Sequence, residues 1–262
     1  MTSHDSEGAL RCEAMLYDYE PEWRPTGIVE LDQTDVLAWK RPGWPAGFNR
    51  VAYAKWDERT AETRIEELFA FFGDAPFHWH VGPSSSPADL ADRLIRRGLV
   101  VAARPRMMTI ELPLPAGWPT NDAVRIAEVR DEAIARLSLE LAHHNANDIA
   151  RMLPERMAYI TAPWRRGAMM VAYVGDVPVA NAAWRYSSDG RCVYLTGAET
   201  VEAHRGRGIY KTLIAYRAAT AHARGCKVAA VLANSETSAP ILARRGFADH
   251  GALPLVVPPG VP

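Results

Sequence analysis

The sequence predicts an α/β (α+β) chain folded as two domains, and three observations carry that reading. Short extended runs alternate with amphipathic helical runs along most of the 262 residues. An uncharged stretch stiffened by proline, Pro113-Leu114-Pro115-Ala116-Gly117-Trp118-Pro119, interrupts the pattern near the middle. A strand, break and helix unit before that stretch is echoed after it, and a chain of this length can bury two medium cores. The expected organisation is a disordered lead at 1–10, a first domain at 11–112, a linker at 113–120 and a second domain at 121–262.

Composition removes several classes of function. A net charge of −1 gives no field for nucleic acid, and no run approaches the length of a membrane span. Met1 to Leu10 is polar with acids and lacks the apolar centre of a signal peptide. Cys12, Cys192 and Cys226 form neither a disulfide framework nor a zinc pattern, which fits a reducing cytoplasmic setting.

The first half opens on a stretch from Arg11 to Phe48 rich in Trp and Pro, too broken for long helices and expected to serve packing and lid contacts. Phe48 to Ala54 reads as a strand. Ile65, Leu68, Phe69 and Phe72 then recur at helical spacing within Thr60 to Phe72. A strand at Phe77 to Val81 follows, with His78 and His80 on one side. No third ligand accompanies them, so core or surface histidines are expected and no metal. Ser86 and Pro87 read as N-cap and first residue of a helix to Arg97, stopped by Gly98. An extended stretch, Val100 to Arg104 or Met107 to Leu112, completes the half. The echo matches Ser84 to Leu99 with Ser235 to Phe247.

The second half begins with a strand, Val124 to Val129, and a helix capped by Asp131 with Ile134, Leu137 and Leu141 on one face. A further helix spans Asp148 to Ile160. Ala168 to Val174 and Val177 to Tyr186 form a hairpin through Gly175-Asp176, and Arg191 to Val201 is the next strand. A helix from Ile209 to Arg224 is expected to bury Ile209, Leu213, Tyr216 and Ala219. Lys227 to Leu232 is the following, parallel strand.

Between that strand and helix stands His204-Arg205-Gly206-Arg207-Gly208-Ile209-Tyr210-Lys211. Two glycines at a strand-to-helix turn let the backbone turn sharply and aim several N–H groups at one spot. The helix dipole adds partial positive charge there, and Arg205, Arg207 and Lys211 add full charges, so the loop reads as a pyrophosphate cradle. A P-loop would need Gly where Tyr210 stands, and a dinucleotide fingerprint would need Gly at Lys211.

The loop resembles the R-x-x-G-x-[GA] signature of the GNAT superfamily of acetyl-CoA-dependent N-acetyltransferases, with Tyr210 departing from the usual small last residue. The resemblance extends over Val124 to Val257, in the order of elements as well as in the motif. It implies two GNAT-like domains, each a mixed, mostly antiparallel sheet flanked by helices. The first is a degenerate half without a Gly-Arg loop. In the second the central strand pair splays at a bulge, for which Gly197-Ala198 is the natural site.

By the same resemblance acetyl-CoA is the co-substrate, and Ala198, Glu199, Thr200 and Val201 meet its pantetheine arm. Arg205, Gly206, Arg207, Gly208, Ile209, Tyr210 and Lys211 hold its phosphates, and Asn234 and Ser238 sit at the mouth of the splay. The two helices after the first strand line the acceptor pocket. The tyrosine that acts as acid in the family falls four residues before Gly246-Phe247, where this sequence has Leu242. Ser238 and Tyr194 are the weak substitutes, Glu199 is the leading base, and His143 and His144 are further candidates. The implied acceptor is an amine of a small molecule, or else of a protein or peptide, which Trp164 and Trp184 near the site do not select; no nucleic acid or membrane is expected, and a homodimer stays open. The reading from a different class is an acyl-CoA-binding regulatory or scaffolding module that kept the cradle and lost the chemistry.

Overall fold

In the computed structural model, which describes residues 3–261, two sheets lie in one chain. The first half supplies β1 (Val29–Gln33), β2 (Val36–Lys40), β3 (Arg50–Ala54), β4 (His78–His80), β5 (Val100–Ala103) and β6 (Arg106–Glu111). Helices α1 (Ser3–Ala14), α2 (Ala61–Phe72) and α3 (Leu90–Arg96) accompany them. The second half supplies β7 (Val124–Glu128), α4 (Glu132–Glu140), α5 (Ala146–Thr161), β8 (Gly167–Val174), β9 (Val177–Tyr186) and β10 (Cys192–Thr200). It ends with α6 (Ile209–Ala223), β11 (Val228–Ala233), α7 (Ser238–Ala243), β12 (Ala248–Ala252) and β13 (Leu255–Val257).

The sheets do not follow the division of the sequence. One has the order β1-β2-β3-β4-β13-β5 and the other β12-β6-β11-β10-β9-β8-β7. Each is completed by a strand from the other half: β6 lies antiparallel between β11 and β12, and β13 lies antiparallel between β4 and β5. The expected boundaries separate the chain at 113–120 but not the folded units, because β6 and β13 cross over. Their backbone N–H and C=O groups must be paired once buried, and the sheet gaps beside β11 and β4 satisfy them.

The two halves repeat one motif. β3, α2 and parallel β4 correspond to β10, α6 and parallel β11, each followed by a helix and a further strand. Between β3 and α2 the chain reads Lys55-Trp56-Asp57-Glu58-Arg59-Thr60, without glycine. The first domain therefore turns without a cradle.

Three expectations need correcting. The lead is helical from Ser3, because Ala9, Cys12, Met15 and Leu16 recur at helical spacing and bury against Met107, Tyr194 and Ala230; Met1 and Thr2 lie outside the described residues. Ser86 caps no helix: its hydroxyl donates to the Trp56 carbonyl at 3.0 Å, and α3 starts only at Leu90. The buried face of α6 is Ile209, Thr212, Leu213, Ile214, Arg217, Ala218 and Ala221, while Ala219 is exposed and Tyr216 half-buried. A helix packed on a broad sheet buries a stripe wider than one i, i+3, i+4 series.

Of the paired histidines, His80 is pushed down to about 3 by burial, with Arg50 and His78 adding to the effect, so it is neutral near pH 7. Its neighbours Phe77 and Trp79 fill the first domain's core.

Candidate active site

The cradle is built as its residues dictate. Gly206 and Gly208 have φ of 77° and 80°, in the left-handed region open to glycine, and Gly208 is the residue that caps α6. The first turn of α6 leaves its N–H groups without helical partners. Trp118 of the linker and Asn121 just after it brace this turn from behind. Asn121 Nδ2 donates to the Arg207 carbonyl at 2.8 Å, Asn121 N–H donates to Thr212 Oγ1 at 2.8 Å, and Trp118 Nε1 donates to the Lys211 carbonyl at 3.0 Å. Arg205 Nε donates to the Thr200 carbonyl at 3.1 Å, tying the loop to the end of β10.

Beside the cradle the sheet opens. Parallel β10 and β11 pair only over Cys192–Tyr194 with Val228–Ala230. Beyond that, β10 slips by one residue against β9 between Thr196 and Glu199, where Gly197 has φ 59°. The bulge lies where Gly197-Ala198 predicts it. The gap between the diverging strands is a cleft of about 880 Å³.

Most of the predicted residues meet there: Ala198, Glu199 and Thr200 from β10, Arg205, Gly206 and Gly208 from the loop, Ile209, Tyr210 and Lys211 from α6, and Asn234 with Ser238 beyond β11. Val201 and Arg207 do not line the cleft. The Val201 N–H turns away to pair with the Val179 carbonyl, and Arg207 is exposed while Asn121 holds its carbonyl on the far side of the loop.

The bulge also turns Glu199 into the cleft. His143, in the turn between α4 and α5, reaches it with Nε2 3.0 Å from Glu199 Oε1. Tyr194 lines the cleft, but its phenol packs with Cys12 and Met15 and burial pushes it up to about 12. Leu242 is fully buried in the second domain's core, with no hydroxyl to offer and no face on the cleft. Among the hydroxyls that do line the cleft are Ser238, one turn earlier on α7, and Tyr210, whose phenol burial pushes upward while Arg217 and a hydrogen bond from Ser238 oppose the rise. The large residue that replaces a small one in the loop thus brings a hydroxyl to the cleft.

Arg217 itself escapes the sequence reading. It is buried, pushed down to about 10 by desolvation, and donates through Nη1 to the carbonyls of Ala183 at 2.9 Å and Thr196 at 3.3 Å. It pins α6 to the bulge. Its only signal is a charge on the apolar side of a helical repeat, one turn after Leu213.

A second cleft, of about 540 Å³, lies between the domains and meets the first at Thr196, which lines both. Its walls are Tyr19, Trp23, Trp39 and Phe48 from the first domain and Tyr159 and Trp184 from the second. The Trp- and Pro-rich stretch thus forms a cavity wall. Of the two helices expected beside an acceptor, α5 contributes Met152, Glu155, Arg156 and Tyr159, while α4 contributes nothing. His144 and Trp164 do not line either cleft.

Residues 128–247 match the acetyltransferase (GNAT) family. The second domain is a GNAT domain. Among solved structures, a GCN5-related N-acetyltransferase from Kribbella flavida is similar to the chain at 17% identity and TM-score 0.66, covering 99% of this chain and 97% of that one. A tandem GNAT protein from the clavulanic acid biosynthesis pathway, described without AcCoA, is similar at 13% identity and TM-score 0.60, covering 98% and 87%. A GCN5-related N-acetyltransferase from Sphaerobacter thermophilus gives 18%, 0.59, 94% and 84%. At these identities the likeness is one of fold. No curated protein matches the chain. The GNAT family supports acetyl-CoA-dependent acetyl transfer, and among the described residues no helix is long and apolar enough to cross a membrane and no group of side chains could hold a metal ion.

Proposed function

We propose that the chain is an N-acetyltransferase that moves acetyl from acetyl-CoA to the amine of a small molecule. The observation that carries the reading is the junction at Thr196: a glycine-rich cradle and splayed strands on one side, and a walled, partly apolar cleft on the other. The site suits the cofactor. Gly206 and Gly208 leave the loop surface free of side chains, and β10 beyond Tyr194 and β11 beyond Ala230 no longer pair with each other.

Bound acetyl-CoA would supply an acetyl thioester, and the transfer forms an amide C–N bond, breaks C–S, and moves a proton from the amine to the departing sulfur. Glu199 with His143 takes the amine proton, directly or through a water. Arg217 keeps the bulge open by holding the Thr196 carbonyl. Tyr210 and Ser238 offer hydroxyls for the thiolate, a leaving group of pKa about 8.5 that needs little help. The buried Leu242 favours a second reading, an acyl-CoA-binding module without turnover.

The test is calorimetry of acetyl-CoA with the wild type and with Gly208→Asp, followed by thiol release over a panel of amines. The carboxylate would repel the phosphates, and an L residue at φ 80° is strained, so affinity should fall at least tenfold. Absence of binding to the folded wild type rejects both readings, and binding without turnover on any amine selects the module.

A further inference from the structure

The interdomain cleft carries more positive charge than its own residues neutralise. Arg41 is one of its cations and is matched by Glu155 at 2.6 Å. Arg50, Arg156 and Arg185 line the same cleft, and among the described residues none of them forms an ion pair. Arg50 donates to the Gly47 carbonyl and Arg156 to Ser138 Oγ, while Arg185 donates to the Met15 carbonyl and lies over the Tyr19 ring. The Arg185 Nε is buried with no partner, and burial pushes Arg156 down to about 10. Burial alone would raise the Tyr19 phenol, yet Arg50 and Arg185 beside it hold it below its ordinary value.

The acids do not redress this. Glu20 is buried but already accepts from Tyr159 Oη and the Arg166 N–H, each at 2.6 Å. Glu30 and Asp32 stand exposed on β1. Guanidinium groups removed from water without a counter-charge are costly, and a planar carboxylate is the anion their fork of donors pairs with.

We propose that the acceptor is an amino acid, an amine whose carboxylate is held among Arg50, Arg156 and Arg185 while its apolar body lies against Trp39, Phe48 and Trp184. Its amine then points toward Thr196, where the two clefts join. This rests on the N-acetyltransferase reading for its chemistry, but the carboxylate site is a binding statement and can be tested without turnover.

The experiment compares amino acids with their decarboxylated counterparts, phenylalanine with phenethylamine and leucine with isoamylamine first, and then the remaining proteinogenic pairs. Each is titrated calorimetrically into the full chain saturated with CoA, and thiol release is followed with acetyl-CoA. The carboxylated member of the preferred pair should bind and react at least tenfold better, and Arg156→Gln and Arg185→Gln should each bring the ratio toward one. Equal or inverted preference across the pairs, or no binding of any member, overturns the inference, as does a ratio unchanged in both variants. Acetylation of the decarboxylated amines alone leaves the acetyltransferase reading standing and removes the amino acid. Tenfold preference in binding with no thiol release does the reverse.

Discussion

His143 Nε2 stands 3.0 Å from Glu199 Oε1, joining the turn between α4 and α5 to the first residue after the bulge in β10. His143 has φ 57°, a backbone conformation uncommon for a residue with a side chain, and its imidazole is largely exposed. A carboxylate that orients an imidazole is a common arrangement for moving one proton. Glu199→Gln should lower kcat by about 100-fold, and His143→Ala by about tenfold, with acetyl-CoA affinity nearly unchanged. Because the two act as a unit, the double variant should be little worse than Glu199→Gln alone. Steady-state kinetics checks this; a wild-type kcat for Glu199→Gln would remove Glu199 from the reaction.

The first domain should carry a stability switch at acid pH. His80 titrates near 3 in the folded protein because burial disfavours its charged form, against about 6.5 when the chain is unfolded. Below pH 6.5 the unfolded chain binds a proton that the folded one does not, so stability is lost as pH falls from about 6.5 toward 3. The full shift corresponds to about 5 kcal/mol. His80→Gln should flatten the fall in urea midpoint across that window relative to wild type. Parallel curves for the two proteins would mean that His80 is not buried as described.

What was legible in the sequence was local. Gly206 and Gly208 announce a sharp strand-to-helix turn because left-handed φ is open to glycine, and Gly197 marks the bulge for the same reason. The cradle and the splay are therefore where the letters put them. Long-range placement is a different matter: nothing in Arg106–Glu111 or Leu255–Val257 says which sheet it will enter, since both are short strands whose apolar residues suit either gap. The helix at Ser3–Ala14 is hidden by a polar first turn, and Arg217 by the habit of assigning arginine to solvent. The second cleft exists only once both halves are folded, so its arginines could not be seen together beforehand.

Putting the family's usual tyrosine back is expected to fail. Leu242 has no exposed surface and packs among Phe247, Ala239 and Val231 in the second domain's core. Leu242→Tyr would force a larger ring and a hydroxyl into that space, at a cost of about 1–3 kcal/mol. The melting temperature should fall, and kcat should not rise. A faster enzyme of unchanged stability would mean that α7 can rotate to present position 242 to the cleft.

The exchanged strands make the two domains depend on each other. Val256 is fully buried in the first domain's core, although it lies at the end of the second half of the sequence, and it pairs with Trp79 on one side and Val101 on the other. Val256→Asp places a charge where no partner waits, and the penalty for an unpaired buried carboxylate is at least about 3 kcal/mol. The loss should appear in the first domain, as exposed Trp56 and Trp79 fluorescence, even though the substitution is six residues from the end of the chain. If the sheets were built only from their own halves, the same substitution would leave those tryptophans buried and disturb α6 and β11 instead. Hydrogen exchange read strand by strand separates the two outcomes, because β4 and β5 should lose protection first when β13 is expelled.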